Sequence, residues 1–149
     1  MLMILLLLLL VTNVMSFNKM NGMRNRLNGF VLKPTLLIQT SQSFDDQTKK
    51  TAFLKECSST ISKILGKPEQ YVMITYKQSD GMYFNGSEDP AAFCHLASIG
   101  KIGPDYNPKV SAAISKVLST HLSIPPSRVY IQFYDSQASN FGHDGSTFG

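Results

Sequence analysis

Few residues in this chain combine a reactive side chain with an informative position. Cys57 and Cys94 could form at most one disulfide, which is too few for the cross-linked framework of a small secreted scaffold. Lys67 follows Gly66 at the end of a helical pattern, where the helix dipole favours an ordinary solvated lysine. His143 could serve as an acid or base, but we interpret it as a surface-loop histidine. Taken alone, these residues do not specify a reaction.

The tripeptide Asn85-Gly86-Ser87 allows two interpretations. It is a glycosylation sequon, and glycosylation would depend on the route that the chain takes through the cell. Asn-Gly is also a strong signal for a tight turn between strands. The turn needs no modification, so we predict a turn.

The distribution of charge along the chain excludes one class of partner. The formal charge is +4, from 14 basic and 10 acidic residues. Four of the basic residues lie in residues 1–33, which contain no Asp or Glu, so the remaining ten balance all ten acidic residues. A neutral domain offers no basic stripe to a phosphate backbone, and we therefore expect no nucleic-acid partner.

Residues 1–16 have the character of a signal peptide. Leu, Ile and Met dominate as far as Val11, and the apolar run then breaks at Thr12 and Asn13. It is far shorter than the roughly 20 residues that span a bilayer, so we expect no stable membrane span. Val14-Met15-Ser16 resembles a signal cleavage site, which predicts entry into the secretory pathway and an extracellular location.

Residues 17–33 are basic, free of acidic residues and rich in Asn. One interpretation is a transit peptide, because a signal peptide followed by Phe17 and such a stretch resembles the bipartite plastid leaders of algae with secondary plastids. The other is a basic linker that is exposed after secretion. Both alternatives begin in the secretory route.

The first part of the remaining domain predicts a βαβ unit. Residues 35–40 have strand composition, and the pair Ser43 and Asp46 approximates a capping box that would open a helix. Gly66 and Pro68 would end that helix, and residues 71–76 read as a second strand parallel to the first. The apolar residues at helical spacing, which predict its buried face, are Phe53, Leu54, Cys57, Ile61, Ile64 and Leu65.

The same order then repeats. A strand over residues 94–99 precedes a helix opened by Asn107 as cap and Pro108 at its first position. Both helices exit through similar sequences into similar strands, which indicates an internal duplication. The apolar side of this second helix would contain Val110, Ala113, Ile114, Val117, Leu118 and His121.

The predicted fold class is therefore α/β, with duplicated βαβ units that form a four-stranded sheet carrying two helices on one face. Its other face would be uncovered, although the strands carry apolar residues such as Leu37, Ile74 and Ile131. We therefore expect the chain to form oligomers in which another subunit covers this face.

Five separated blocks resemble the macrophage migration inhibitory factor (MIF) and D-dopachrome tautomerase family in order and spacing, and the resemblance covers residues 34–149. The blocks are Pro34-Thr35-Leu36-Leu37-Ile38-Gln39-Thr40, Gly66-Lys67-Pro68, Ser98-Ile99-Gly100-Lys101-Ile102-Gly103, Arg128-Val129-Tyr130-Ile131 and Ser146-Thr147-Phe148.

The resemblance implies a homotrimer with active sites at the subunit interfaces and an amino-terminal proline, here Pro34, as catalytic base. An α-amino group titrates at about 7.7–8.0 in peptides, and burial or a neighbouring cation lowers that pKa further. Such an amine could move a proton in a keto–enol tautomerisation of phenylpyruvate-like or dopachrome-like compounds. The reaction requires neither a metal nor an organic cofactor.

The resemblance also assigns substrate contacts. Lys67 would face the substrate carboxylate, and Ile99 would offer its backbone amide. Tyr130 would donate a hydrogen bond from the adjoining subunit, beside Gln132 where the best-known members have Asn. Tyr71 and Phe148 would line an aromatic pocket.

Two points limit what the resemblance implies. Where some relatives have a Cys-x-x-Cys pair, this chain has Ala91 and Cys94, so we expect no thiol-oxidoreductase activity. If the leader stayed attached, the Pro34 nitrogen would be a tertiary amide without basicity. Two alternatives to the enzyme tolerate a blocked proline: a secreted cytokine-like ligand for a cell-surface receptor, and a catalytically silent binding protein.

Overall fold

The computed structural model describes residues 33–149, so the signal-peptide prediction and nearly all of the basic leader lie outside the described residues. The domain begins with β1 (Thr35–Thr40), continues into the helix α1 (Gln47–Leu65) and returns in β2 (Met73–Gln78). β1 and β2 are parallel neighbours, which confirms the predicted βαβ unit. A short 3₁₀ turn, Glu69–Tyr71, lies before β2, so Tyr71 is outside the strand in which the sequence placed it.

The second unit consists of β3 (Ala92–Ser98), α2 (Asn107–Leu122) and β4 (Val129–Asp135). β3 and β4 are parallel, while β1 and β3 run antiparallel and join the two units. The sheet order is β2-β1-β3-β4. This arrangement confirms the predicted fold class of two duplicated βαβ units in one four-stranded sheet.

Both helices lie on the same face of the sheet, and the core lies between them and the strands. In α1 the buried residues are Phe53, Cys57, Ile61 and Leu65, which recur every fourth position. From β1 and β3 the core receives Leu36, Ile38, Cys94 and Leu96, all at most 1% exposed. Within residues 33–149, no helix is long and apolar enough to cross a membrane.

The helix starts differ from the sequence prediction. Asp46, not Ser43, is the N-cap of α1, and its carboxylate accepts hydrogen bonds from the backbone N–H groups of Thr48 and Lys49. α2 begins at Asn107 itself, one residue earlier than predicted. The Asn107 side chain accepts a hydrogen bond from the Gly103 N–H at 2.9 Å and so stabilises the loop that leads into the helix.

The uncovered face of the sheet carries large apolar and aromatic side chains. The exposed ones are Leu37, Met73, Phe93, Tyr130 and Tyr134. The prediction for Leu37 is confirmed, whereas the prediction for Ile74 and Ile131 is wrong, because both pack against the core. Alternate residues of a strand point to opposite faces, and both isoleucines have the parity of the helix-covered side.

The chain ends in a small hairpin that the sequence did not predict. A 3₁₀ turn, Ala138–Asn140, leads into β5 (Gly142–His143), which pairs antiparallel with β6 (Ser146–Thr147). The Phe148 backbone N–H then donates to the carbonyl oxygens of Ala138 and Phe141, at 3.2 and 3.1 Å. The hairpin thereby fixes the position of the Phe148 ring.

Candidate functional site

One edge of the sheet gathers most of the residues to which the sequence assigned a role. β1 and β2 begin at this edge, where β3 and β4 end, and we call it the site edge. Pro34 lies there, immediately before β1, and it is fully buried. Its carbonyl oxygen accepts a hydrogen bond from the Met73 N–H at 2.9 Å, so Pro34 is already held by the β1–β2 ladder.

A cavity of about 430 Å³ opens beside Pro34. It is lined by both chain neighbours of Pro34, namely Lys33 and Thr35, and by the chain around Tyr71. The hairpin closes another side through the residues from Phe141 to His143. The Lys33 ammonium lies 5.3 Å from the Tyr71 ring centroid and 4.9 Å from that of Phe148. The structure thus brings Tyr71 and Phe148 together beside Pro34.

Lys67 is not the solvated surface lysine that the residues alone would favour. Only 8% of its surface is exposed, although it directly follows α1. Gly66, in the left-handed conformation with φ 63°, turns the chain inward, and the Ser62 hydroxyl donates to the Lys67 carbonyl at 2.6 Å. Burial, and secondly the positive charge of Lys101, lower the pKa of Lys67 from 10.5 to about 8. Lys67 is therefore a cation that gains stabilisation when an anion binds.

Ile99 follows β3 at the site edge and is also buried. After it the chain adopts two left-handed residues in succession, Gly100 at φ 70° and Lys101 at φ 63°. The Gly100 N–H donates to the Asp135 carboxylate at 2.7 Å, which ties this loop to the end of β4. Asp135 could not be singled out from the sequence, because its contact crosses between two strands.

Tyr130 and Gln132 do not join this group within one chain. Both are exposed on the uncovered face, near the start and the middle of β4. β4 reaches the site edge only at Asp135, which pairs with Ser98. The five residue steps from Tyr130 to Asp135 correspond to roughly 16 Å of extended strand. Their predicted contact with substrate therefore needs a second subunit and stays a prediction.

A buried arginine, Arg128, supports Tyr130, and no role could be assigned to it from the sequence. The guanidinium of Arg128 donates to four backbone carbonyl oxygens of the loop between β2 and β3, at 2.8–3.3 Å. It also lies 5.4 Å from the Phe84 ring, and that ring contacts Tyr130 edge-on at 4.7 Å between centroids. The four carbonyl groups belong to Phe84, Ser87, Asp89 and Pro90.

Two further predictions concern His143 and the Asn85-Gly86 turn. His143 is exposed as predicted, but it belongs to β5, and its ring stacks on Phe148 at 6.1 Å. Asn85 and Gly86 have φ of 49° and 77° and connect the bridged pair Phe84 and Ser87, which confirms the turn. Within residues 33–149, no cluster of His, Cys, Asp and Glu is arranged to hold a metal ion.

Comparison with known proteins matches residues 34–149 to the family described as macrophage migration inhibitory factor (MIF), and the match begins at Pro34. The chain belongs to the MIF family. A MIF homolog from Wuchereria bancrofti is 41% identical over 116 residues, which cover 78% of this chain and 99% of the relative. The MIF of Rattus norvegicus is 44% identical over 96 residues, covering 64% of this chain and 84% of the relative.

Solved MIF structures share this fold. The MIF of Toxoplasma gondii superposes with a TM-score of 0.74 at 35% identity, covering 76% of this chain and 99% of that structure. A MIF homologue from Prochlorococcus marinus superposes with a TM-score of 0.72 at 34% identity, covering 77% and 99%. This MIF-family chain therefore has the tautomerase fold, and residues 1–33 precede the part that matches the family.

Proposed function

We propose that this chain is a keto–enol tautomerase whose catalytic base is the secondary amine of Pro34, released by cleavage after Lys33. The observation that carries the proposal is that the family match begins at Pro34, which is buried between two residues that line the cavity. Burial disfavours a charged amine, so a free Pro34 would hold a neutral base beside substrate.

Substrate orientation follows from the charges at the site edge. Lys67 is the buried cation of this region, and a keto acid would place its carboxylate there. The aromatic rings of Tyr71 and Phe148 would pack against the remainder of a phenylpyruvate-like or dopachrome-like substrate. The loop of Ile99 would supply a backbone amide. Pro34 would then remove the proton on the carbon next to the carbonyl group.

The proposed active unit is a homotrimer. The uncovered face exposes 62% of Tyr130 and 53% of Tyr134, a surface that association would cover. An adjoining subunit could then present Tyr130 and Gln132 to the site edge of its neighbour. Sedimentation of residues 34–149 should give a trimer, and a monomer that is fully active would refute the shared site.

The test of the base compares three proteins in an assay of phenylpyruvate enolisation. The first starts at Pro34 after removal of an initiator Met, the second is the full-length chain, and the third carries Pro34→Gly in the cleaved form. The full-length chain should be inactive, and Pro34→Gly should lose about 10²–10⁴ of the rate, the usual contribution of a positioned acid or base. Equal rates in all three would refute Pro34 as base.

Cleavage is tested in the native source. The intact mass of the mature protein should correspond to a chain that begins at Pro34. A terminus further upstream would rule out the enzyme for that form. The compartment from which the mature protein is purified decides between the proposed secretory, extracellular route and the plastid alternative.

A second candidate function is that of a cytokine-like ligand, favoured by the names of the relatives. The similar proteins from Rattus norvegicus and Wuchereria bancrofti are named for inhibiting macrophage migration. A receptor ligand would not need a free Pro34. An inactive Pro34→Gly variant that still inhibits the migration of macrophages would separate this function from catalysis, whereas loss of both would tie the response to the base.

A further inference from the structure

The side chain of Lys33, the residue before the proposed cleavage point, lies against two aromatic rings. Its Nζ atom is 4.9 Å from the Phe148 ring centroid and 5.3 Å from that of Tyr71. A cation within about 6 Å of an aromatic face is attracted by the negative potential of the ring. Among residues 33–149, no Asp or Glu carboxylate forms an ion pair with Lys33. Within this part of the chain, the two rings are thus the electrostatic partners of the Lys33 ammonium.

Other parts of the fold, rather than Lys33, position both rings. The Tyr71 N–H donates to the Pro68 carbonyl at 3.0 Å, which fixes the 3₁₀ turn before β2. Phe148 is held by its two backbone hydrogen bonds to the hairpin, and its ring contacts Phe141 and His143 with centroids 6.0 and 6.1 Å away. The pair should therefore persist when Lys33 is removed.

We propose that Tyr71 and Phe148 form a binding site for a primary ammonium group, which Lys33 fills in the uncleaved chain and which cleavage opens to a ligand. This step rests on the proposed function, because the same cleavage that frees the Pro34 amine also removes Lys33. Before cleavage, Lys33 is tethered beside the rings at an effective concentration that for short tethers is in the millimolar range. A free ammonium compound would compete poorly with it.

The site narrows the class of ligand. After cleavage the site edge would then offer two groups that select charge: the buried cation of Lys67, and the rings of Tyr71 and Phe148, of which Tyr71 lines the cavity. A keto acid that also carries an ammonium group away from its carboxylate matches both groups. An uncharged aromatic group would use only the packing surface of the rings.

The direct test titrates the cleaved chain with n-butylammonium, which reproduces the end of a lysine side chain, and with n-butanol as the neutral control. Chemical shifts of Tyr71 and Phe148 report binding at constant ionic strength. The ammonium should bind about fivefold more tightly than the alcohol, corresponding to about 1 kcal/mol of cation–π attraction. Phe148→Leu and, independently, Tyr71→Leu should each reduce this preference. Equal affinities, or a preference that neither variant reduces, would overturn the site.

The uncleaved chain supplies the matched control. With Lys33 present it should not bind n-butylammonium, whereas the uncleaved Lys33→Ala variant should bind it, because the alanine side chain is too short to cover the two rings. Binding to both uncleaved proteins would show that Lys33 does not occupy the site. The enolisation assay on the same cleaved sample separates the two proposals: turnover without ammonium preference rejects only the cation site, and preference without turnover rejects only the tautomerase.

Discussion

The two βαβ halves have the same backbone plan, but they use equivalent positions differently. Each helix ends in a left-handed residue, Gly66 at φ 63° or Ser123 at φ 55°, and each is followed by a buried residue and a proline. The buried residue is Lys67 in the first half and Ile124 in the second. The first half thus places a charge where the second places a core side chain. The duplicated scaffold thus places the two residues in equivalent positions, and the replacement of one residue decides whether that position is charged.

The 3₁₀ turns that follow show the same division. Their last residues are Tyr71 in the first half and Arg128 in the second. Tyr71 is half-buried and faces the cavity, while Arg128 is buried and holds four carbonyl groups of the loop before β3. One turn therefore faces the cavity, and the other stabilises the domain.

The largest effect on the free energy of unfolding is expected for the pair Arg128 and Tyr71. Arg128→Met should lower the free energy of unfolding by about 3 kcal/mol, because it leaves carbonyl groups without donors and frees the loop that carries Phe84. Tyr71→Leu, at the matching position, should cost less than about 1 kcal/mol. Urea denaturation of both variants measures the difference, and similar losses would mean that the two turns are equally structural.

The next effect concerns the buried charge. The pKa of Lys67 is lowered to about 8 in the folded state, so the unfolded state binds more protons between about pH 8 and 10.5, and stability should rise with pH in that window. Below pH 8 the folded state bears the full free-energy cost of burying the charged ammonium. Replacing it in Lys67→Met should therefore stabilise the protein at pH 7 by roughly 1–3 kcal/mol.

The matched control for this pH effect is Ile124→Met. Denaturation at pH 7 and at pH 9.5 should show the gain from Lys67→Met shrinking as pH rises, while the Ile124→Met difference stays constant. A gain that is the same at both pH values would mean that the charge of Lys67 carries no cost.

The smallest effects are expected at the helix ends. No atom lies within 4 Å of a Cβ built on Gly66, so Gly66→Ala should cost only the backbone strain of the left-handed region, about 1 kcal/mol. Ser123→Gly should relieve similar strain and stabilise by up to about 1 kcal/mol. Thermal unfolding should give a lower midpoint temperature for Gly66→Ala and a higher one for Ser123→Gly. Midpoint shifts of the same sign would show that the two helix ends are not equivalent.

The sequence predicted those features that follow from local periodicity. β1 occupies the predicted residues, and Phe53, Cys57 and Ile61 are buried as their spacing required. Alternation along β2 would have placed Ile74 on the helix-covered face, but Ile74 was assigned to the uncovered face because it is apolar. Residue type alone does not predict which face of a sheet a side chain occupies.

Contacts between distant segments could not be predicted in this way. Lys33 and Phe148 lie at the two ends of the described chain and meet only because the hairpin folds back to the site edge. The burial of Lys67 depends on the turn at Gly66, and the role of Arg128 depends on a loop that precedes it by one strand and one helix. No local pattern encodes these three contacts.

The two buried cysteines give the domain an internal reporter of its own motions. Burial raises the pKa of Cys57 and of Cys94 to about 12, and both thiols are fully enclosed in the core. A thiol reagent can therefore react only when α1 separates from the sheet, because the thiolate forms once water enters. The labelling rate under native conditions measures how often the core opens, and ligands that bind the site edge should slow it.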